Sequence, residues 1–489
     1  MATTKKRSKS THSVATTPEP TVRTSQPQAT GPDSWKVRIR MYRKWLGDCF
    51  LLTFRNGEDD THIMIDCGVL SGTPEGRQKV TQAVDDIRTE TDGKLAALVV
   101  THEHWDHVSG FSDAIESFKR FSSIGEVWAA WTEDPNQTIA KEKKQQNQLR
   151  FEAVQAALHG WGSGSDDDQE RGACVAALMN FMPPEGFAAF SENTNAAMNN
   201  ALLLGKQRLL SPGDIVEHIP GLRVYVLGPP KDTKALHKML GTIGKDMYGL
   251  ALLPSQVATI QAFAAAAASQ AYPSTLDRYV PFEPHLHWDE AAWSSEQEWK
   301  ELAISYHSDS VRRIDRDWLN SAAELALQLD SYTNNTSLVL AFELADSKEV
   351  VLFVGDAQVG NWKTWVAVRS ADANVSVDDL LARTVFYKVG HHGSHNATLK
   401  QGGLECMTSS KLVAAIPVDE AFARNSKHWD MPAASLLAAL QEKTAGRILR
   451  SDSNFPRDSA KPDKLPESDW REFQGNVNIQ EQFIEYYLR

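Results

Sequence analysis

Short apolar runs, separated by glycine and acidic positions, recur toward both ends of this chain. Residues 37–42, 49–54 and 62–66 read as strands of a meander, with Gly47-Asp48 as the turn between the first two. Another run, 95–100, ends in Thr101, and helical spacing begins near His107 and continues to Phe118. The pattern predicts further strands at 126–131, 222–227, 337–342, 350–354, 384–389 and 412–416. Two helix-rich stretches, 138–182 and 231–329, separate the strand clusters. No internal repeat of fixed period is found. Strand clusters at both ends with helices between them predict an α/β protein in which two packed sheets are covered by helices.

The same pattern divides the chain. Residues 1–34 carry Ser, Thr and Pro without apolar periodicity and are expected to form a disordered tail, on which the cluster Lys5, Lys6, Arg7, Lys9 is solvated. Residues 35–455 are expected to form the main domain, with insertions at about 138–210 and 231–329, and 456–489 a C-terminal extension. The second insertion is far longer than an ordinary connection and must have its own structure. Its aromatics, Tyr272, Tyr279, Phe282, Trp288 and Trp293, are read as packing a small core of their own. The acidic run Asp166, Asp167, Asp168 is read as a solvated loop.

Composition narrows the class. Apolar residues make up 42% and charged residues 23% of the 489, an ordinary globular balance. A net charge of −12 supplies no global positive field, which argues against long duplex nucleic acid as a tight partner and leaves a small molecule or a short nucleic acid as substrate. Cys49, Cys67, Cys174 and Cys406 are scattered, as expected in a reducing compartment. The N-terminal stretch lacks the apolar core of a signal peptide, and the apolar stretch 250–271 is interrupted by Pro254, Gln256 and Gln261, so no membrane span is expected and a cytoplasmic location is.

The chemistry concentrates in Thr101-His102-Glu103-His104-Trp105-Asp106-His107. In an extended loop alternate residues point the same way, so His102 and His104 can share one metal, while Asp106 and His107 face a neighbour as the chain turns into helix. Imidazole with carboxylate is a ligand set for zinc, and less selectively for manganese or iron. Downstream, the apolar strand 351–354 leads through Gly355 to Asp356, a carboxylate placed to bridge two cations, and the strand 387–389 leads to His391 and His392. The segment His285-Leu286-His287-Trp288-Asp289-Glu290 imitates the metal loop but lacks a preceding apolar strand, and it is read as a decoy.

In this order the residues resemble the metallo-β-lactamase superfamily, whose motifs run Asp, then HxHxDH, a later His, Asp and His. Asp66 in Ile65-Asp66-Cys67-Gly68 matches the first motif, His102 to His107 the second, Asp356 the fourth and His391 the fifth. The resemblance implies an αββα sandwich with large helical insertions, two divalent metal ions, zinc or manganese, and Asp66 supporting the metal loop rather than ligating. Within the superfamily, Gly47-Asp48-Cys49, Asn334-Asn335-Thr336-Ser337-Leu338-Val339, Val354-Gly355-Asp356 and Gly390-His391-His392-Gly393-Ser394 are most similar to the hydrolase domain of competence DNA-uptake channels and its soluble relatives. The later His of the third motif is absent and Asn334 stands near its place, which implies a weaker, partly water-filled shell for the first metal. Met431-Pro432 stands where that branch often has His-Pro, and the nearby His428 is read as a surface histidine.

Two divalent cations roughly 3.5 to 4 Å apart lower the pKa of a shared water toward neutrality and make hydroxide available as nucleophile. The metal set is therefore His102, His104, Asp106, His107, Asp356 and His391, with Asp66 and Asn334 in support. Asp106 is counted among the catalytic residues as well, with His392 and His395 as proton donors to a leaving group or as supports of the metal loop. The expected reaction is phosphodiester hydrolysis. The alternatives are hydrolysis of an ester, lactone or lactam, and a metal-containing binding protein without turnover.

Overall fold

In the computed structural model, which describes residues 34–57, 59–138, 140–142, 145, 154, 190–236, 238, 329–368, 372, 374–427 and 429–489, the apolar runs become two facing sheets. The first contains β1 (Val37–Tyr42), β2 (Cys49–Asn56), β3 (Asp59–Cys67), β4 (Lys94–Val99), β5 (Ser123–Ala130) and β6 (Lys206–Leu210). The second contains β7 (Ile215–Val216), β8 (Leu222–Gly228), β9 (Val339–Leu344), β10 (Val350–Phe353), β11 (Thr384–Lys388), β12 (Val413–Ile416) and β13 (Ile448–Arg450). The chain then returns to the first sheet with β14 (Val477–Ile479) and β15 (Phe483–Leu488), giving the orders β14-β15-β1-β2-β3-β4-β5-β6 and β13-β12-β11-β10-β9-β8-β7.

Burial on both faces explains why so many strands read as unbroken apolar runs. The inner faces contribute Ile39, Phe50, Leu52 and Ile65 from one sheet and Leu340, Phe342, Val351 and Phe353 from the other. Phe50 meets Phe353 edge-on across the interface, with ring centroids 5.2 Å apart. On the outer face of the first sheet, Leu51, Met64 and Leu98 pack under the helix Gly76–Glu90, whose Val80, Ala83, Val84 and Ile87 recur at helical spacing. On the outer face of the second, Leu352 and Tyr387 are covered by Trp362, Trp365, Leu436 and Leu440 from helices and turns. The layers are helix, sheet, sheet, helix, the α/β sandwich expected from the strand clusters. Among the described residues no helix is long and apolar enough to cross a membrane.

Several boundaries differ from those expected. Residues 456–489 are woven into the first sheet, because β15 pairs antiparallel with β1 from Val37↔Leu488 to Tyr42↔Phe483. The first insertion ends earlier than 210: the helix Phe190–Leu202 packs its Ala197, Met198 and Ala201 into the outer layer, and β6 pairs in parallel with β5. The helix expected from His107 to Phe118 is three short pieces, Trp105–Val108, Gly110–Asp113 and Ile115–Phe118. At the first break the Ser109 hydroxyl accepts a hydrogen bond from the Val69 backbone at 2.8 Å, tying the turn to the end of β3. The tail, the acidic run 166–168, the 285–290 segment, the aromatics of the second insertion and His428 lie outside the described residues.

Candidate metal centre

Four strands of the sandwich end at one place. Asp66 closes β3, the His102 to His107 segment follows β4, Asp356 follows β10 and the paired histidines follow β11. β3 pairs in parallel with β4, and β10 with β11, so within each sheet the carboxyl ends lie along one edge, where α/β proteins gather reactive groups. The turns that follow are tight. Asp66, Gly355, His391 and His392 all have positive φ, at 54°, 54°, 41° and 50°, and such conformations in non-glycine residues cluster at functional sites. Glycine is required at Gly68, where an added Cβ would lie 2.2 Å from the carbonyl carbon of Asp106. That approach lets the Gly68 amide donate to Asp48 O and the Asp48 amide donate to Asp106 O, both at 2.9 Å, which seats the metal loop on the first turn.

Asp66 orients rather than converges. Its carboxylate accepts from the Thr101 amide at 2.8 Å and hydroxyl at 2.7 Å, and from His107 Nδ1 at 2.8 Å. A carboxylate can only accept, so Nδ1 of His107 donates to Asp66, and Nε2 is the ring nitrogen that faces the site. Opposite it, Asp356 has one oxygen engaged and one directed inward. Oδ1 accepts from Lys388 Nζ at 3.1 Å and from the His391 amide at 2.9 Å. Oδ2 stands 3.1 Å from His107 Nε2.

Asp106, His107, Asp356 and His392 each offer a ligand atom within 4.8 Å of the others, and all four are buried. His392 reaches Asp106 Oδ2 through Nε2 at 2.7 Å, while its Nδ1 lies 2.7 Å from the Pro417 carbonyl. His102 and His104 lie beside this group, with Nε2 of the first 3.1 Å from Nδ1 of the second. His391 turns its Nδ1 to Ser394 Oγ at 2.9 Å and Gln358 Nε2 at 3.3 Å. His392, read from the sequence as a proton donor, therefore sits inside the four-residue group, and His391, read as the ligand of the last motif, sits beside it. His395 is exposed.

Two residues at the centre were passed over in the sequence. Lys388 ends β11 with its ammonium buried against the Gly355 carbonyl at 2.9 Å, Asp356 and Asp48. Asp48, read in a turn and in the Gly47-Asp48-Cys49 segment but given no role in the site, also approaches His107 Nδ1 at 3.8 Å. A lysine inside the apolar run 384–389 was the legible signal, since an ammonium is buried only where carboxylates meet it.

The electrostatics divide the histidines. Burial pushes His102 well below the ordinary imidazole value, His104 to about 4 and His391 to about 3, so these rings are neutral at neutral pH. Burial would lower His107 too, but Asp356, Asp48, Asp106 and Asp66 raise it well above that value. Asp356 resists its own burial because His107 and Lys388 hold it well below the usual carboxylate range. Asp48, Asp66, Asp106 and Asp356 are thus all buried around His107, with Lys388 paired to Asp48 and Asp356. Asp106 Oδ1 has no hydrogen-bond partner there, and Asp356 Oδ2 is left to the ion pair with His107 Nε2, 3.1 Å away. Buried carboxylate oxygens without donors are costly, and oxygen and imidazole donors converging at this spacing fit divalent cations.

Residues 42–119 match the family model of the metallo-beta-lactamase superfamily, a stretch holding Asp48, Asp66 and the whole His102 to His107 segment. The comparison with curated proteins found no match. Among solved structures the chain is similar to the metallo-beta-lactamase fold protein YhfI from Bacillus subtilis, at 10% identity and a TM-score of 0.19 over 39% of this chain. The chain spans about half of that protein, 52% of its length. The family match falls on the part of the site in the first sheet, from Asp48 to His107, and the sandwich is a metallo-β-lactamase fold with helices beyond its core.

Proposed function

We propose that the chain is a hydrolase working with two divalent cations, zinc or manganese, on phosphodiesters: a nucleotide, a short or single-stranded nucleic acid, or a phospho-headgroup. The observation that carries hydrolysis is the buried convergence of Asp106, His107, Asp356 and His392 at the strand ends. When bound, such cations polarise a phosphoryl or carbonyl oxygen and make hydroxide available near neutral pH.

The chain's own residues divide the remaining work. Asp106, His107, Asp356 and His392 would hold one cation, and His102 and His104 the other, with His391 in the ligand set beside them. Asp66 fixes the His107 tautomer, and Lys388 fixes the Asp356 carboxylate. His395, exposed at the end of the last motif, is the group free to reach a leaving oxygen. The phosphodiester class rests on the likeness of the segments around Asp48, Asn334, Asp356 and His391 to the competence-type hydrolases.

Turnover of bis-p-nitrophenyl phosphate, of the monoester, and of an ester and a lactam tests the class, with Asp106→Ala as the contamination control. The diester is expected to be cleaved fastest, by protein carrying about two equivalents of metal, and chelation is expected to stop it. Cleavage of the lactam or ester alone would overturn the phosphodiester assignment and leave the metal reading standing.

The two proton-donor candidates separate in a second measurement. His395→Ala is expected to slow turnover by about 10²- to 10⁴-fold while leaving metal content intact, as for a general acid. His392→Ala is expected to lose metal. Metal loss in His395→Ala, or full metal in His392→Ala, would reverse these roles.

A further inference from the structure

The third motif of the superfamily supplies a histidine that this chain lacks, yet the place is not bare. Residues 329–335 are helical, and Asp330 and Asn334, four apart, share one face of that turn. The Asn334 amide donates from Nδ2 to Asp330 Oδ2 at 3.1 Å. That leaves Asp330 Oδ1 buried and without a hydrogen-bond partner, while Asn334 Oδ1 is turned to His104. Asn334 itself is fully buried, and it lies against the His104 ring. Across from it Gln358, also fully buried, has its Oε1 likewise unpartnered.

The Asp330 carboxyl also pairs with the Gln358 side chain, and Asn334 meets His104, so Asp330 Oδ1 is left without a donor one side chain away from the His104 ring. Burial first, then Asp356 and Asp106, push the Asp330 carboxyl well above the ordinary carboxylate range. An ionised carboxylate is opposed there by burial and by repulsion, and its pairing with Asn334 and Gln358 leaves Oδ1 unmatched. A cation there removes both penalties at once.

We propose that Asp330 is a metal ligand, completing through Oδ1 the shell of the cation held by His102 and His104, with Asn334 orienting it. The inference rests on the two-cation reading above and gives the first metal an anionic ligand in place of the missing imidazole.

The test is metal binding to the full chain, stripped with chelator and titrated with Mn²⁺ by calorimetry, with elemental analysis after gel filtration. Wild type is expected to take up about two equivalents. Asp330→Asn preserves shape and the contact to Asn334, and it is expected to weaken one equivalent by about 10- to 100-fold or more and leave the other unchanged. Asp330→His is expected to restore the weakened site, and adding Asp330→Asn to His102→Ala is expected to cost nothing further, because both act on one cation. The melting temperature of each metal-free variant reports the fold independently. Two unaltered equivalents in Asp330→Asn would overturn the assignment and leave the two-cation reading intact. No Mn²⁺ uptake by wild type, or by zinc in a parallel titration, would overturn both.

Discussion

Asp356→Ala is expected to lower turnover by more than the roughly 10²- to 10³-fold that removal of one positioned electrostatic group costs, and to empty most of the metal site. The asymmetry of this carboxylate is the reason. Oδ1 is fixed by Lys388 and the His391 amide, so Oδ2 alone is aimed at His107 and His392, and no rotation can substitute one oxygen for the other. Alanine removes the inward oxygen and also leaves the buried Lys388 ammonium with Asp48 as its remaining anionic partner. The metal-free variant should still fold, since the residue sits on a turn after β10 and outside the apolar layers. Asp356→Asn separates charge from shape. It keeps an acceptor for Lys388 and is expected to lose metal nearly as fully as alanine, because the anionic donor is gone. Elemental analysis and turnover, measured on the same samples, decide the matter. An alanine variant that retained about two equivalents and most of its activity would remove Asp356 from the centre.

Much of this centre was legible because its residues follow apolar strands. The runs before Thr101, Asp356 and His391 are buried on both faces, so they announce themselves as strands, and polar residues at their carboxyl ends are conspicuous. Asp48 was hidden by its neighbour, since Gly-Asp after a strand is ordinarily a turn. Asp330 was hidden because the likeness drew attention to Asn334, four positions on. What sequence pattern could not convey is pairing at a distance. β6, with Lys206, Gln207 and Arg208, is half polar because it is an edge strand, and β14 spans only Val477–Ile479, so neither carries a period. β15 is apolar enough to be noticed, yet nothing local indicates that its partner is β1, more than four hundred positions earlier.

That long-range pairing leads to the largest expected effect on stability. Arg40→Ala is expected to destabilise the fold by about 3–5 kcal/mol, the cost of removing one partner from a buried charge cluster. Arg40 and Glu485 are register partners on β1 and β15, and both side chains are almost wholly buried. The guanidinium donates to Glu485 Oε1 from Nε at 3.0 Å and from Nη2 at 2.7 Å, to Asp86 at 2.6 Å and to Glu90 at 2.9 Å. It also lies 4.0 Å from the centre of the Phe483 ring. One side chain thus fastens the last strand and the helix Gly76–Glu90 to the first strand. Alanine would leave Glu485 buried with only Arg38, Asn478 and Tyr487 nearby. The pH dependence has a definite sign. Burial alone would raise Glu90, but Arg40 and Arg38 depress it below its ordinary 4.5, so its contribution is present above that value and is lost as pH falls through the lower, folded one. The stability gap between wild type and Arg40→Ala should accordingly be widest near neutrality and narrow in acid below 4.5. Denaturant unfolding of both proteins at neutral and acid pH measures it, and turnover below the melting transition should be unchanged because the cluster lies away from the strand ends. A gap under about 1 kcal/mol at neutral pH is what an exposed ion pair would give, and it would mean that this cluster does not hold the C-terminal strand in place.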